Sequence, residues 1–343
     1  MMNIFRKLLF PFSIIYALLL HIRHFLYDYK IINSYSLPIP IINIGNVQLG
    51  GTGKTPLVEY LIQLLEKNKF KTAIISRGYK RKSQGFLLVE ESSVFNEVGD
   101  EPLQIKQNNP KSLIAVCENR LEAIDKLSSH QLDVFLLDDA FQHRKLIAGF
   151  NIVMTSFNKL FIDDFLFPVG TLRDVKKRAY KSDVIIVNKC PDNITETEKK
   201  IIQRKLNHNK IYFSSIFYKE PISLYDNVVS LSLENYASAL VITGIAQEEN
   251  FVKFISSKIK EVKHLKFPDH HFFSNQDIIE INEEFKKINS QKKTIITTQK
   301  DAIRLNKFKQ EFNNINVLVV PIKLTFADRK FDKLILDYVT KTK

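Results

Sequence analysis

The chain has 343 residues, with 50 Lys and Arg against 37 Asp and Glu, and two cysteines. That length suits about two domains, and 45% hydrophobic with 25% charged residues excludes a disordered chain. Cys117 and Cys190 are too few for a disulfide framework or a four-thiolate zinc site, and the charge of +13 suits either a polyanionic partner or a merely solubilising surface.

At the amino terminus, Arg6 and Lys7 precede an apolar run, Leu8–Leu20, and His21, Arg23 and His24 follow it. As a helix this run reaches about 20 Å, short of a bilayer core of about 30 Å. Pro11 confines any helix to a start at that point or kinks it. No small-x-small cleavage site follows, which argues against a secretory signal. A monotopic anchor fits, with Leu, Ile and Phe in the interface and cations on anionic headgroups. A buried first helix fits the same residues.

Past residue 30, short β-branched runs alternate with helical stretches. Strands are expected at Ile39–Ile44, Lys71–Ser76, Leu113–Cys117, Val134–Leu137, Asn151–Thr155 and Val184–Asn188. Helices are expected at Pro56–Lys67, Arg120–Ser128 and Thr195–Leu206. Continuous apolar strands between helices imply a mainly parallel sheet covered on both faces. The pattern breaks near 218–228, at Lys219-Glu220-Pro221. A second series then places strands at Ala239–Thr243, Lys293–Thr298 and Val317–Val320. Its helices are Phe251–Ile259, Asp277–Ile288 and Asp301–Phe308. Segments Ile211–Phe217 and Pro321–Phe326 can cross between the two series, and Arg329–Thr340 can then pack back on the first. The expected division is 1–30, 31–220 and 221–343.

The strongest chemical signal is Gln48-Leu49-Gly50-Gly51-Thr52-Gly53-Lys54-Thr55, between an expected strand and an expected helix. Glycines let the backbone approach phosphate, and the helix N-terminus supplies positive charge. Lys54 suits the β/γ-phosphates and the Thr55 hydroxyl suits Mg²⁺. The usual glycine five residues before Gly53 is replaced by Gln48, but the phosphate-cradling part is intact. Asp138 and Asp139 end a strand, where either carboxylate could hold the metal. Asn188-Lys189-Cys190-Pro191 displaces the aspartate that a guanine-reading Asn-Lys-x-Asp needs, which favours ATP over GTP.

These motifs occur in order with Asn43-Ile44-Gly45-Asn46, Ser76-Arg77-Gly78-Tyr79, Val98-Gly99-Asp100-Glu101-Pro102 and Asp138-Asp139-Ala140-Phe141-Gln142-His143. Pro168 to Asp174, Phe267-Pro268-Asp269-His270 and Thr298-Gln299-Lys300-Asp301 complete the set. The set resembles the tetraacyldisaccharide 4'-kinase family, which phosphorylates a lipid A precursor. The resemblance implies a P-loop NTPase-like α/β fold of two α/β/α domains with mainly parallel sheets and an amino-terminal membrane-associated helix. It implies ATP and Mg²⁺, a tetraacylated glucosamine disaccharide 1-phosphate as acceptor, and a site in the cleft between domains. It implies the cytoplasmic face of a bacterial inner membrane, with an anionic membrane surface as partner; nucleic acid is not expected.

By the same resemblance, Asp100 is the base for the acceptor hydroxyl and His270 its partner across the cleft. On the residues alone, Asp100 reads first as a helix N-cap and His270 as a surface-loop histidine, with His271 beside it. Arg173 suits the transferring phosphate. Gln142 and His143 suit support of the metal aspartates, and Arg77 and Tyr79 the acceptor side. Ala140 and Asp174 stand where the family commonly has Gly and Glu. The competing class is a P-loop nucleotide switch that hydrolyses without a phosphoryl acceptor.

Overall fold

The computed structural model describes residues 8–225, 231–312 and 315–342. Arg6, Lys7 and part of the expected 218–228 boundary lie outside them.

Two sheets organise the chain. The larger contains β1 (Ile41–Gly45), β2 (Thr72–Ser76), β3 (Leu87–Leu88), β4 (Leu113–Val116), β5 (Val134–Asp138), β6 (Phe150–Ser156), β7 (Val184–Asn188) and β8 (Ile211–Tyr218). The smaller contains β9 (Ile222–Ser223), β10 (Ser238–Thr243), β11 (Glu261–Lys266), β12 (Lys293–Thr298) and β13 (Val317–Val320). A last strand, β14 (Ile322–Phe326), returns to the larger sheet, whose order is β14-β8-β7-β6-β1-β5-β2-β4-β3. The smaller sheet runs β11-β10-β12-β13-β9. Only the outer pairs, β3 with β4, β8 with β14 and β9 with β13, are antiparallel. Such sheets are buried on both faces, which is why their central strands read as unbroken apolar runs.

The chain passes between the sheets twice, side by side. Tyr218 pairs with Ile322 in one sheet, Ile222 with Val319 in the other, and Lys219 N–H donates to Pro321 O at 2.8 Å between them. The final helix, Lys330–Thr342, packs back on the larger sheet through Phe331, Ile335 and Val339. The charged β11 escaped the sequence reading. It alternates Glu, Val, Lys, His, Leu and Lys at the sheet edge, where charge deters pairing with another chain.

The amino-terminal helix is longer than the apolar run that signals it. It spans Phe10–Asp28, 19 residues with mean hydropathy 1.3. That is about 28 Å, so length alone does not exclude spanning. It continues past Leu20 because Arg23 and His24 face the protein. Ser13, Leu20 and His24 form its buried stripe, while Phe12, Ile15, Leu18, Leu19 and Ile22 are exposed. Pro11 sits in the first turn, where it is tolerated.

The Lys54–Lys67 helix starts at the phosphate loop and packs under the site. Its Glu59 is buried, accepting from Gln104 Nε2 at 3.1 Å and Asn108 Nδ2 at 2.9 Å. Burial raises Glu59 to about 7. A raised carboxyl stabilises the fold fully below its unfolded value of about 4.5, and that contribution is lost as pH rises through about 7. Glu59→Gln is therefore expected to raise Tm at about pH 8 and to change it little at about pH 5, read by thermal unfolding at both.

Candidate active site

The carboxyl ends of parallel strands are where α/β sheets bind ligands, and here both sheets turn those ends to one cleft of about 870 Å³. From the larger sheet come the loops after β1, β2, β5, β6 and β7, and from the smaller those after β10, β11 and β12. The lining includes all of Gln48 to Thr55, with Asp139, Arg173 and His270. Asp100 and Asp138 stand behind that wall.

The phosphate loop fits a polyphosphate. Gly50 and Gly53 have φ of 106° and 94°, which side-chain-bearing residues rarely adopt. A Cβ on Gly53 would lie 2.1 Å from Asn188 Nδ2. That amide donates to Thr52 O at 2.9 Å and so braces the loop from β7. Sequence reasoning weighed Asn188 only for base recognition; its position at a strand end beside the loop was the signal for this role. Lys54 and Thr55 open the helix, with Lys54 Nζ 3.6 Å from Asp139 Oδ1.

The paired aspartates have divided tasks. Asp139 is held by Lys54 and by both terminal nitrogens of Arg173. Burial would raise its pKa, but Lys54 and then Arg173 outweigh burial and hold it at about 2. Arg173 also donates to Asn46. Asp138 is buried, accepts from Ser76 Oγ at 3.0 Å through Oδ2, and has no partner at Oδ1. Burial, then Glu101 and Asp139, push its pKa up. An orphaned buried carboxylate oxygen near the phosphate loop fits a divalent cation. No cluster of three metal-ligating side chains occurs among the described residues.

Asp100 begins the Asp100–Asn108 helix but does not cap it; Gly99, at φ 92°, precedes the first turn. Its Oδ2 lies 2.9 Å from His270 Nδ1 and 2.7 Å from Arg304 Nη1, and its Oδ1 accepts from Glu101 N–H at 3.0 Å. Burial would raise this carboxyl, but the His270 hydrogen bond and the charges of Lys300 and Arg304 outweigh it and hold it well below the usual range. His270 and His271 are resolved by direction: His271 Nε2 meets Asp277 Oδ2 at 3.0 Å, away from Asp100. Asp139, Lys189 and His270 all have positive φ, at 50°, 61° and 57°, and such strained positions cluster at functional sites.

Tyr79 lines the cleft, its ring 5.4 Å from that of His270; Arg77 is not part of the lining. Gln142 does not support the metal aspartates. Its Nε2 donates to Asn46 O at 2.8 Å, and its own carbonyl accepts from Arg23. His143 Nε2 has no partner, and burial with the Arg120 and Arg23 charges lowers its pKa to about 4. Asp174 is fully buried and meets His24 Nε2 at 2.7 Å, so its carboxylate ties the amino-terminal helix to the Arg173 loop.

A phosphate loop, a buried carboxylate with an unpartnered oxygen and an Asp–His pair at one cleft define a P-loop phosphotransferase. Comparison with known proteins narrows the class. The sequence profile of the tetraacyldisaccharide-1-P 4'-kinase family matches residues 5–340. Tetraacyldisaccharide 4'-kinases of Flavobacterium psychrophilum and Flavobacterium johnsoniae are 43% and 42% identical over 98% of both chains. The crystal structure of the "apo" form of LpxK from Aquifex aeolicus in complex with ATP aligns over 98% of this chain and 100% of that one, with TM-score 0.74 and 28% identity. The chain belongs to the tetraacyldisaccharide 4'-kinase family, and the nucleotide-switch alternative is not favoured.

Arg304, the residue that sequence reasoning missed outright, is 1% exposed and also pairs with Asp301. Its charge offsets the cost of burying ionised Asp100. Arg304→Gln is therefore expected to lower kcat by about tenfold with KM for ATP near normal, and Arg304→Lys to lose less. Steady-state kinetics of both variants check this.

Proposed function

We propose that the cleft transfers the γ-phosphoryl group of ATP to the 4'-hydroxyl of a tetraacylated glucosamine disaccharide 1-phosphate, the lipid A precursor. The family match carries the kinase assignment, and the observation that carries the mechanism is the Asp100–His270 contact facing the phosphate loop. Phosphoryl transfer needs positioning and charge neutralisation more than covalent chemistry. Residues Gln48 to Thr55 cradle the triphosphate, with Lys54 toward the β/γ-phosphates. Thr55 and Asp138 would hold Mg²⁺, with Asp139 beside them fixing Lys54 and Arg173. Mg²⁺, when bound, would supply charge neutralisation to the phosphates. Arg173, whose fork now spans Asp139 and Asn46, is positioned to swing a donor to the transferring group.

The acceptor hydroxyl gives its proton to the Asp100–His270 pair. Asp100 supplies the negative charge, and His270, which lines the cleft, presents it to the substrate. Three working units carry these tasks: 1–30 as anchor, 31–220 as the nucleotide half and 221–343 as the closing half. The exposed apolar face of the Phe10–Asp28 helix supports a monotopic protein on an anionic membrane, at the cytoplasmic face of the bacterial inner membrane where ATP is present.

The test is transfer from labelled ATP to the disaccharide 1-phosphate in detergent micelles with Mg²⁺, followed by locating the new phosphate. Phosphate at the 4' position is expected; release to water alone would refute transfer. Asp100→Ala is expected to lower kcat by about 100-fold or more with ATP affinity little changed. Equal losses in both would remove Asp100 from the proton-transfer step.

A further inference from the structure

The amino-terminal helix does not account for all the apolar surface on its side of the molecule. Segment Asp164 to Leu172 runs beside its first half. Ser13 Oγ donates to Leu166 O at 3.0 Å and accepts from Val169 N–H at 3.3 Å. The Tyr16 ring meets Phe167 edge-on, with centroids 6.3 Å apart. Within the segment, side chains alternate. Leu166 packs inward against the core, whereas Phe165 and Phe167 are each 50% exposed. Phe12, one turn before Tyr16 on the same helix flank, is 60% exposed. The two phenyl rings therefore widen the helix's apolar strip sideways.

This loop is built to hold that display. Leu172 N–H donates to Phe165 O and Phe167 N–H to Leu172 O, both at 2.9 Å. The buried Asp164 carboxylate accepts from Phe165 N–H at 2.9 Å, Thr171 N–H at 3.2 Å and Gln48 Nε2 at 3.2 Å. Cations collar the aromatic tip. Lys176 Nζ lies 5.8 Å from the Phe165 ring centroid, and the half-exposed Lys159 lies beside Asp164 at 3.3 Å. Exposed rings with amines beside them suit an anionic lipid interface, where rings enter the acyl chains and amines meet headgroups.

We propose that the Phe165–Phe167 loop is a second membrane-inserting element, dipping its two rings into an anionic bilayer beside the amino-terminal helix. This rests on the helix being membrane-bound. One helix leaves the protein free to roll about its axis; a second contact off that axis removes the roll. The loop then fixes the height of Thr171 to Arg173 above the lipid. That strip joins the phosphate loop directly, since Leu49 N–H donates to Thr171 O at 2.6 Å and Gln48 bridges Leu172. The acceptor's headgroup thus meets the phosphate loop at a set distance from its acyl chains.

The chain contains no tryptophan, so one introduced indole reports its own surroundings. Phe165→Trp, Phe167→Trp, Leu18→Trp on the helix and Ile279→Trp, exposed on the smaller sheet's helix, are each mixed with vesicles of equimolar phosphatidylglycerol and phosphatidylethanolamine. Expected are blue-shifted emission and quenching by brominated acyl chains for Phe165, Phe167 and Leu18, with Ile279 unchanged. In addition, the Phe165→Ala, Phe167→Ala double variant should bind these vesicles about tenfold more weakly, with ATP affinity unchanged. A shift at Leu18 with both loop reporters behaving like Ile279 would overturn the loop proposal alone. No shift at Leu18 would overturn the membrane reading and the proposal with it. A blue shift without vesicles that grows with protein concentration would overturn it in favour of a contact between copies of the chain.

Discussion

Everything in the cleft depends on one buried negative charge that neither half of the molecule could hold alone. Asp100 belongs to the larger sheet's half, yet two of its three donors, His270 and Arg304, come from loops and helices of the smaller sheet. A buried carboxylate without cations is strongly disfavoured, and breaking such a pair is costly. Docking of the two halves and assembly of the Asp–His pair are therefore one event. Lys300 with Glu101, at 2.6 Å, and Gln299 with Asn108, at 3.0 Å, fasten the same seam. The double strand crossing at Lys219 and Pro321 is the only covalent route between the halves among the described residues.

The phosphate side follows a different logic. Its parts are local: a strand end, a glycine turn and a helix start give the cradle, and neighbouring strand ends bring Asn188, Asp138 and Ser76 to it. Asp139 is neutralised by Lys54 and Arg173, whereas Asp138 is left with a free buried oxygen. Two adjacent carboxylates of one type thus acquire separate tasks from their surroundings. One organises cations of the protein and the other keeps an unpartnered buried oxygen.

This division explains what was legible in the sequence. Gln48 to Thr55, Asp138-Asp139 and the strands that carry them are contiguous, so spacing and apolar runs disclosed them. The partnership of Asp100 with His270 spans 170 positions and was reached only through family resemblance. Arg304 carries no local signal, because a helical arginine reads as solvated until the fold buries it. His24 and Asp174 were hidden for a related reason: polar residues after an apolar run signal its end, yet here they mark the face by which the helix docks. Gln142 and His143 follow Asp139 closely in sequence, yet the Gln142 amide reaches Asn46 O and His143 Nε2 has no partner.

The helix that docks through His24 also carries the exposed apolar face, so that apolar surface and Arg173 are two sides of one short hydrogen-bonded path. Tyr16 Oη donates to Arg173 O at 3.0 Å on that path. A lipid kinase needs this economy, since its acceptor's tails stay in the bilayer while the headgroup must reach a water-soluble donor. The account's central claim remains the shared charge across the cleft. The most direct measurement is a double-mutant cycle on kcat with Asp100→Asn and His270→Ala. If the two act as one unit, the double variant loses scarcely more than the worse single variant. If the losses multiply, the residues act independently and the claim is contradicted.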